Sequence, residues 1–229
     1  KKNLTLATLL WLYCWRRKQL SRKYRLIRLT VKKPLLLVFC KNPRLGKVKT
    51  RLAKTIGERK ALLIYKELLK KTASVLKELE VDIHLYYSDK IEENDLFSAV
   101  ASQKKKQAGE HLGERMANAF QESFISHDKV VIIGTDLWTL EAQDIQKAFQ
   151  ALEKQAAVIG PSKDGGYYLL GLNQFFPDLF KQKEWGTDKV LSSTLADINH
   201  INYHLLNEKN DVDTFSDLEE NPSLKAHIQ

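Results

Sequence analysis

Acidic residues stand at three places where apolar runs give out, and a cluster of cations stands at a fourth. Lys129-Val-Val-Ile-Ile-Gly-Thr-Asp136 ends on a carboxylate. Gly160-Pro-Ser-Lys-Asp-Gly-Gly-Tyr-Tyr-Leu-Leu-Gly171 places Asp164 before two glycines, and Asp211-Val-Asp213-Thr214 supplies two more acids. Between residues 41 and 54, Lys41, Arg44, Lys47, Lys49, Arg51 and Lys54 occur with no acid among them. Such a cationic loop, with Gly46 inside it and a helix after it, suits an anionic ligand held at a helix start. If 47–51 is helical, Lys47 and Arg51 share a face. The loop is not a P-loop, because Lys41 holds the place of that motif's first glycine. Mg²⁺ is commonly held by one or two carboxylates plus substrate phosphates, so Asp136 with Asp213 or Asp211 is a candidate pair for a hard cation. Each feature also has a plainer reading. Asp136 could cap a helix starting near Glu141, Asp213 or Thr214 could open a short helix, Asp-Gly-Gly could be only a turn, and the cations could be a solvated face.

The elements that would position these residues follow from apolar patterning. Pro34–Cys40 reads as a buried strand and 58–80 as a long helix with the stripe Leu62, Tyr65, Leu69, Val75, Leu76 and Leu79. Val81–Tyr87 is a second strand, and the polar, Lys-rich residues 89–110 hold short elements and a surface loop. A helix over Leu112–Ile125 precedes the strand that ends at Asp136. A helix over 141–154, strands Ala156–Gly160 and Tyr167–Leu172, a helix near 188–199 and a strand near 201–206 complete the alternation. Strands interleaved with helices predict an α/β protein, a three-layer Rossmann-like sandwich with a mostly parallel central sheet. In such sheets ligands bind beyond the carboxyl ends of strands, where Asp136 would stand.

Composition narrows the classes. The chain has 229 residues, 43% hydrophobic, enough for one sizeable domain, expected over 34–229. Its net charge of +9 is carried by residues 1–33, which hold basic but no acidic residues; the remainder is nearly neutral. Binding to nucleic acid is therefore not expected of the domain. The leader, with an apolar run from Leu4 to Trp15 followed by Arg16-Arg17-Lys18, admits three readings. It could make weak membrane-surface contact, it could touch RNA, or it could be non-native with translation starting at Val31; the last is favoured. Two cysteines, Cys14 and Cys40, make no disulfide framework and favour a reducing, cytoplasmic setting.

In order along the chain, Phe39-Cys-Lys-Asn-Pro-Arg-Leu-Gly-Lys-Val-Lys-Thr-Arg-Leu-Ala53, Leu112-Gly-Glu-Arg-Met116, Gly134-Thr-Asp136, Asp164-Gly-Gly-Tyr-Tyr-Leu-Leu-Gly171, Trp185-Gly-Thr187 and Asp211-Val-Asp-Thr214 resemble a bacterial group of glycosyltransferase-A-like proteins. That group lies in the nucleotide-diphospho-sugar transferase superfamily and is associated with radical-SAM or arsenosugar pathways. More distantly, the chain is similar to phospholactate and molybdenum-cofactor guanylyltransferases. The resemblance implies a domain binding a nucleotide sugar or an NTP with Mg²⁺ or Mn²⁺, and a small-molecule acceptor. Carried over, Lys41, Gly46, Lys47, Lys49, Thr50 and Arg51 would serve the phosphates, and Asp136, Asp213 and Asp211 the metal. Gly165, Gly166, Tyr167, Trp185 and Thr187 would form the acceptor or sugar side. Asp164 would be the base for an acceptor hydroxyl, with Asp136 the other catalytic carboxylate.

Two departures stand out: Leu137-Trp138 replace the group's small residue and proline, putting a bulky ring beside a metal ligand, and His111 replaces a common acid. Three activities follow as expectations: a metal-dependent glycosyltransferase, a nucleotidyltransferase, and a non-catalytic nucleotide-binding protein.

Overall fold

The computed structural model describes residues 32–228, so the basic leader and the readings made of it lie outside the described residues. Seven strands form one sheet: β1 (Leu35–Cys40), β2 (Asp82–Tyr87), β3 (Gln103–Lys106), β4 (Val130–Ile133), β5 (Ala157–Pro161), β6 (Tyr167–Leu172) and β7 (Tyr203–Leu205). Their order is β3-β2-β1-β4-β6-β5-β7. Only β6 runs against the rest, pairing antiparallel with both β4 and β5. The helices are α1 (Thr50–Ile56), α2 (Glu58–Leu76), α3 (Leu112–Ser123), α4 (Ala142–Ala151), α5 (Val190–Asp197), α6 (Phe215–Glu219) and α7 (Pro222–Lys225), with short 3₁₀ turns at Pro177–Phe180 and Ala226–Ile228.

The central strands are apolar throughout because both faces are covered. Leu36 and Val38 of β1 face one core with Ile64 and Leu68 of α2, while Leu35 and Leu37 face another with Met116 and Phe120 of α3. Two cores on opposite faces of one sheet give the three layers. Burial of these side chains, at about 1.5–3 kcal/mol each, is what fixes the strand register.

Several boundaries differ from those predicted. Helix α2 begins at Glu58 as expected, after a break at Gly57 (φ 83), but ends at Leu76, short of 80. Its buried face runs through Ile64 and Leu68, so Leu62 sits at the side of the stripe. Residues 103–106 form an edge strand that polar composition conceals. Lys104 there reaches Asp95 at 2.8 Å and Lys105 reaches Glu122 at 2.7 Å. Charged side chains on an edge strand also discourage pairing with another chain. Residues 47–49 are not helical. Lys49 has left-handed backbone (φ 47, ψ 45), and α1 begins only at Thr50, so Lys47 and Arg51 are not one helical turn apart.

Candidate active site

The strand order turns back at β1, which has β2 on one side and β4 on the other. Beyond the carboxyl ends of these strands lies a cavity of about 510 Å³. The end of β1 with Lys41 and the Gly134–Leu137 segment after β4 line it, together with Gln107, Arg115, Asp164, Gly166, Tyr167 and Trp185.

Asp136 does not cap α4. That position is taken by Glu141, which forms a reciprocal capping box with Asp144. Released from that duty, Asp136 meets the acidic motif that follows β7. The Val212 N–H donates to the Asp136 carbonyl at 3.0 Å, and the Val212 side chain is fully buried. Thr214 caps α6 and is itself bound by the Asp217 carboxylate, whose Oδ2 also accepts from the Asp213 N–H at 3.1 Å. The plainer reading of this motif therefore belongs to Thr214 and Asp217, and the Asp213 side chain is left for the site.

At the centre is Lys49. Its side chain is 3% exposed, and its ammonium lies 2.5 Å from Asp136 Oδ1 and 2.8 Å from Asp213 Oδ1. Burial alone would favour the neutral amine, yet the two carboxylates outweigh it and raise the lysine's pKa. Burial opposes ionisation of Asp213 as well, and Lys49 reverses that, so its pKa falls. At Asp211 the charge of Lys49 compensates too little. Burial first, then the charge of Asp136, push its carboxyl up to about 7, and Ser162 Oγ approaches it only at 3.5 Å.

Three carboxylates thus converge around one ammonium, with negative charge left over. Among the described residues there is no ready-made cage of three or more protein ligands. A pair of carboxylates completed by substrate phosphates is nonetheless the usual arrangement for Mg²⁺, and the oxygen donors and surplus charge here fit a hard divalent cation. Asp211 gives a pH-dependent test. Its raised folded pKa means that this group's contribution to stability falls as pH rises from about 4 through 7, since the unfolded chain releases this proton first. Asp211→Asn is expected to be more stable than the wild type at pH 8 without divalent cation, by about 2–4 kcal/mol, and equal to it near pH 3. Urea denaturation at both pH values checks this; equal stabilities at pH 8 would contradict it.

The remaining predicted residues are distributed around this centre. Lys41, Lys47, Thr50 and Arg51 are exposed, and Arg51 approaches Asp213 at 4.0 Å. Gly46 lies in the same loop against Glu58. The Asp164 Oδ1 accepts from the Gly166 N–H at 3.0 Å, so Asp-Gly-Gly is a turn between β5 and β6, and Asp164 also lines the cavity. Trp185 lies over Gly113 at the start of α3: a Cβ added there would fall 2.2 Å from the indole nitrogen. Gly186 and Thr187 continue the wall.

The ring of Trp138 is not beside the cation site. Its indole N–H donates to Ser223 Oγ at 3.0 Å and its ring meets His227 edge-on, while buried Leu137 lines the cavity. The residue after Asp136 points inward and the next outward, so the bulky substitution falls on the C-terminal helices. His111 caps α3, its Nδ1 accepting from the Glu114 N–H at 3.3 Å. Residues that sequence reasoning did not single out also contribute. The Tyr65 hydroxyl receives the Lys41 N–H at 2.9 Å, donates to the Lys41 carbonyl at 3.0 Å and lies 3.2 Å from Thr135 Oγ1. It joins α2, the cationic loop and the end of β4. Arg115 was visible only as part of a motif; its Nε donates to the Gly109 carbonyl at 2.9 Å. Cys40 is buried, its thiol pushed up to about 12 chiefly by that burial, which leaves it unreactive.

The fold and the site's position at the strand ends define a Rossmann-like protein of the nucleotide-diphospho-sugar transferase fold. The chain belongs to the bacterial family DUF2064, described as an uncharacterized protein conserved in bacteria, whose profile matches residues 71–187. A candidate nucleotide-diphospho-sugar transferase from Desulfovibrio desulfuricans G20 is 30% identical, with a TM-score of 0.74 over 86% of this chain and 98% of that one. The inositol-1-phosphate CTP transferase of T. maritima has a TM-score of 0.57 at 13% identity, covering 86% of this chain and 96% of that one. The 4-diphosphocytidyl-2C-methyl-D-erythritol synthase of Anaerococcus prevotii DSM 20548 has 0.54 at 10%, covering 84% and 99%. The latter two likenesses are of fold. No curated protein matches the sequence. Among the described residues no helix is long and apolar enough to cross a membrane.

Proposed function

We propose that this protein is a divalent-cation-dependent glycosyltransferase that takes a nucleoside-diphosphate-sugar donor. The observation that carries the reading is that Asp136 and Asp211 line one cavity while Asp213 is joined to Asp136 through the Lys49 ammonium, with Lys41, Lys47 and Arg51 exposed on the loop and helix around it. The 30% identical relative, itself a candidate nucleotide-diphospho-sugar transferase, supports it. The cations would take the diphosphate, with Asp136 and Asp213 holding Mg²⁺ or Mn²⁺ against it. When bound, the metal would neutralise charge on the departing nucleoside diphosphate. The sugar would lie toward Gly166, Tyr167 and Trp185, placing Asp164 to accept the proton of an acceptor hydroxyl as that oxygen attacks the anomeric carbon. The bond from that carbon to the phosphate oxygen breaks, and the nucleoside diphosphate leaves with the electron pair. A free, buried Cys40 suits action in a reducing cytoplasm.

Nucleotidyl transfer from an NTP to a phosphorylated acceptor is the second reading, since the same exposed cations and carboxylates would serve it. The two differ in product. Incubation with nucleotide sugars and with NTPs in the presence of Mn²⁺ is expected to yield nucleoside diphosphate from a sugar donor. Pyrophosphate released from an NTP would replace the first reading with the second. A non-catalytic role, suggested by Trp138 and by the basic leader, loses the first of these supports because the ring faces Ser223 and His227; the leader lies outside the described residues.

A further inference from the structure

Lys49 differs from every other cation of its loop. Lys41, Arg44, Lys47, Arg51 and Lys54 are exposed, whereas the Lys49 side chain is buried and its ammonium sits between Asp136 and Asp213. The backbone is set up for this. Lys49 is one of only two non-glycine residues among those described with positive φ, and this left-handed turn directs the side chain inward immediately before α1. Such conformations persist in a bulky residue only where the surroundings hold them. The two oxygens that Nζ contacts belong to the two acids best placed to share a divalent cation. An ammonium is a compact point charge on a flexible stem, able to stand in for a cation and to leave for another anion.

We propose that Lys49 is a resident counter-ion that holds the cation site shut in the absence of nucleotide and yields it when phosphates arrive. The inference rests on the reading of Asp136 and Asp213 as cation ligands. Free metal alone must displace a paired ammonium and leave it buried beside a second positive charge. A nucleotide bound at the exposed cations offers the ammonium a phosphate oxygen, the carboxylates become available, and metal and nucleotide each tighten the other's binding by the same factor. As a positioning residue, Lys49 also keeps the two like charges from repelling one another while they wait.

The test is Mn²⁺ binding to the full chain, followed by the electron paramagnetic resonance of free Mn²⁺, first alone and then with UDP, GDP, CDP or ADP. Lys49→Met removes the charge at similar length, and Lys49→Gly removes it while suiting the left-handed backbone; thermal denaturation confirms that each is folded. Both variants are expected to bind Mn²⁺ alone at least about tenfold more tightly than the wild type. In the wild type, at least one nucleoside diphosphate should tighten Mn²⁺ binding beyond its own solution affinity for the metal, and by more than in either variant. Mn²⁺ binding alone that is unchanged or weaker in both variants would overturn the proposal, as would micromolar binding of Mn²⁺ alone to the wild type, which needs no variant to fold. If Mn²⁺ binding depends on Asp136 yet ignores Lys49, only the counter-ion role fails. If Asp136→Asn and Asp213→Asn leave Mn²⁺ binding untouched, the cation reading fails and takes this inference with it.

Discussion

Asp136→Asn is expected to abolish cation-dependent nucleotide binding while leaving the fold in place. The side chain is 38% exposed at a strand end, and its backbone carbonyl, not its carboxylate, holds the Val212 N–H. Asparagine keeps the shape and removes one of the two charges that hold Lys49 and would hold a metal. Loss of a ligand to a divalent cation, together with a phosphate site dependent on that cation, predicts at least a hundredfold loss of affinity, about 2.7 kcal/mol or more. Isothermal titration with the nucleotide and Mn²⁺ measures it, and circular dichroism checks the fold. Binding that survives within a few-fold would remove Asp136 from the centre of the site.

A second large effect is expected at Gly165, through structure. Its φ is +83, and a Cβ built there would lie 2.2 Å from the Asp188 carbonyl oxygen. The three nearest atoms all belong to the Asp188 backbone, so no side chain can swing aside. The Leu191 N–H donates to the Gly165 carbonyl at 2.9 Å, tying the Asp-Gly-Gly turn to the start of α5. Gly165→Ala is expected to cost about 2–4 kcal/mol by adding overpacking to left-handed strain. In a domain of this size that lowers Tm by roughly 5–15 °C. Gly166→Ala is the control: its Cβ would meet only the Asp164 carboxylate oxygen at 3.1 Å, a side chain able to shift. Thermal denaturation of both decides; equal midpoints would show that the turn does not bear on residue 188 as described. The same displacement moves Gly186 and Thr187, so Gly165→Ala should also weaken acceptor use.

The sheet was readable in the sequence because its central strands are apolar on both faces, as in Val130–Ile133, and its long helices carry a one-sided stripe. Strand β3 was hidden because its lysines neutralise Asp95 and Glu122 at an exposed edge, a pattern that composition alone assigns to a loop. The motifs singled out in the sequence place Asp136, Asp164 and Asp211 on one cavity, with Asp213 beside Asp136 through Lys49. They could not show that Lys49 faces the acids instead of the mouth, since that depends on one left-handed residue and on a contact spanning 164 positions. Tyr65 was read as part of a core stripe, and its ring is buried as expected. Its hydroxyl reaches Lys41 and Thr135 only because the sheet places the ends of β1 and β4 side by side. Trp138 was misplaced for the opposite reason: adjacency in sequence to Asp136 said nothing about which way the next side chain turns.

The most direct test is a thermal-shift comparison of the full chain with nucleotide sugars and NTPs, each with and without Mn²⁺. At a ligand concentration about 100 times its dissociation constant, at least one nucleotide is expected to stabilise the protein by roughly 2.7 kcal/mol, and only when Mn²⁺ is present. A shift that ignores Mn²⁺, or none with any nucleotide, would contradict the account of Asp136, Asp213 and Lys49 as a cation-dependent nucleotide site.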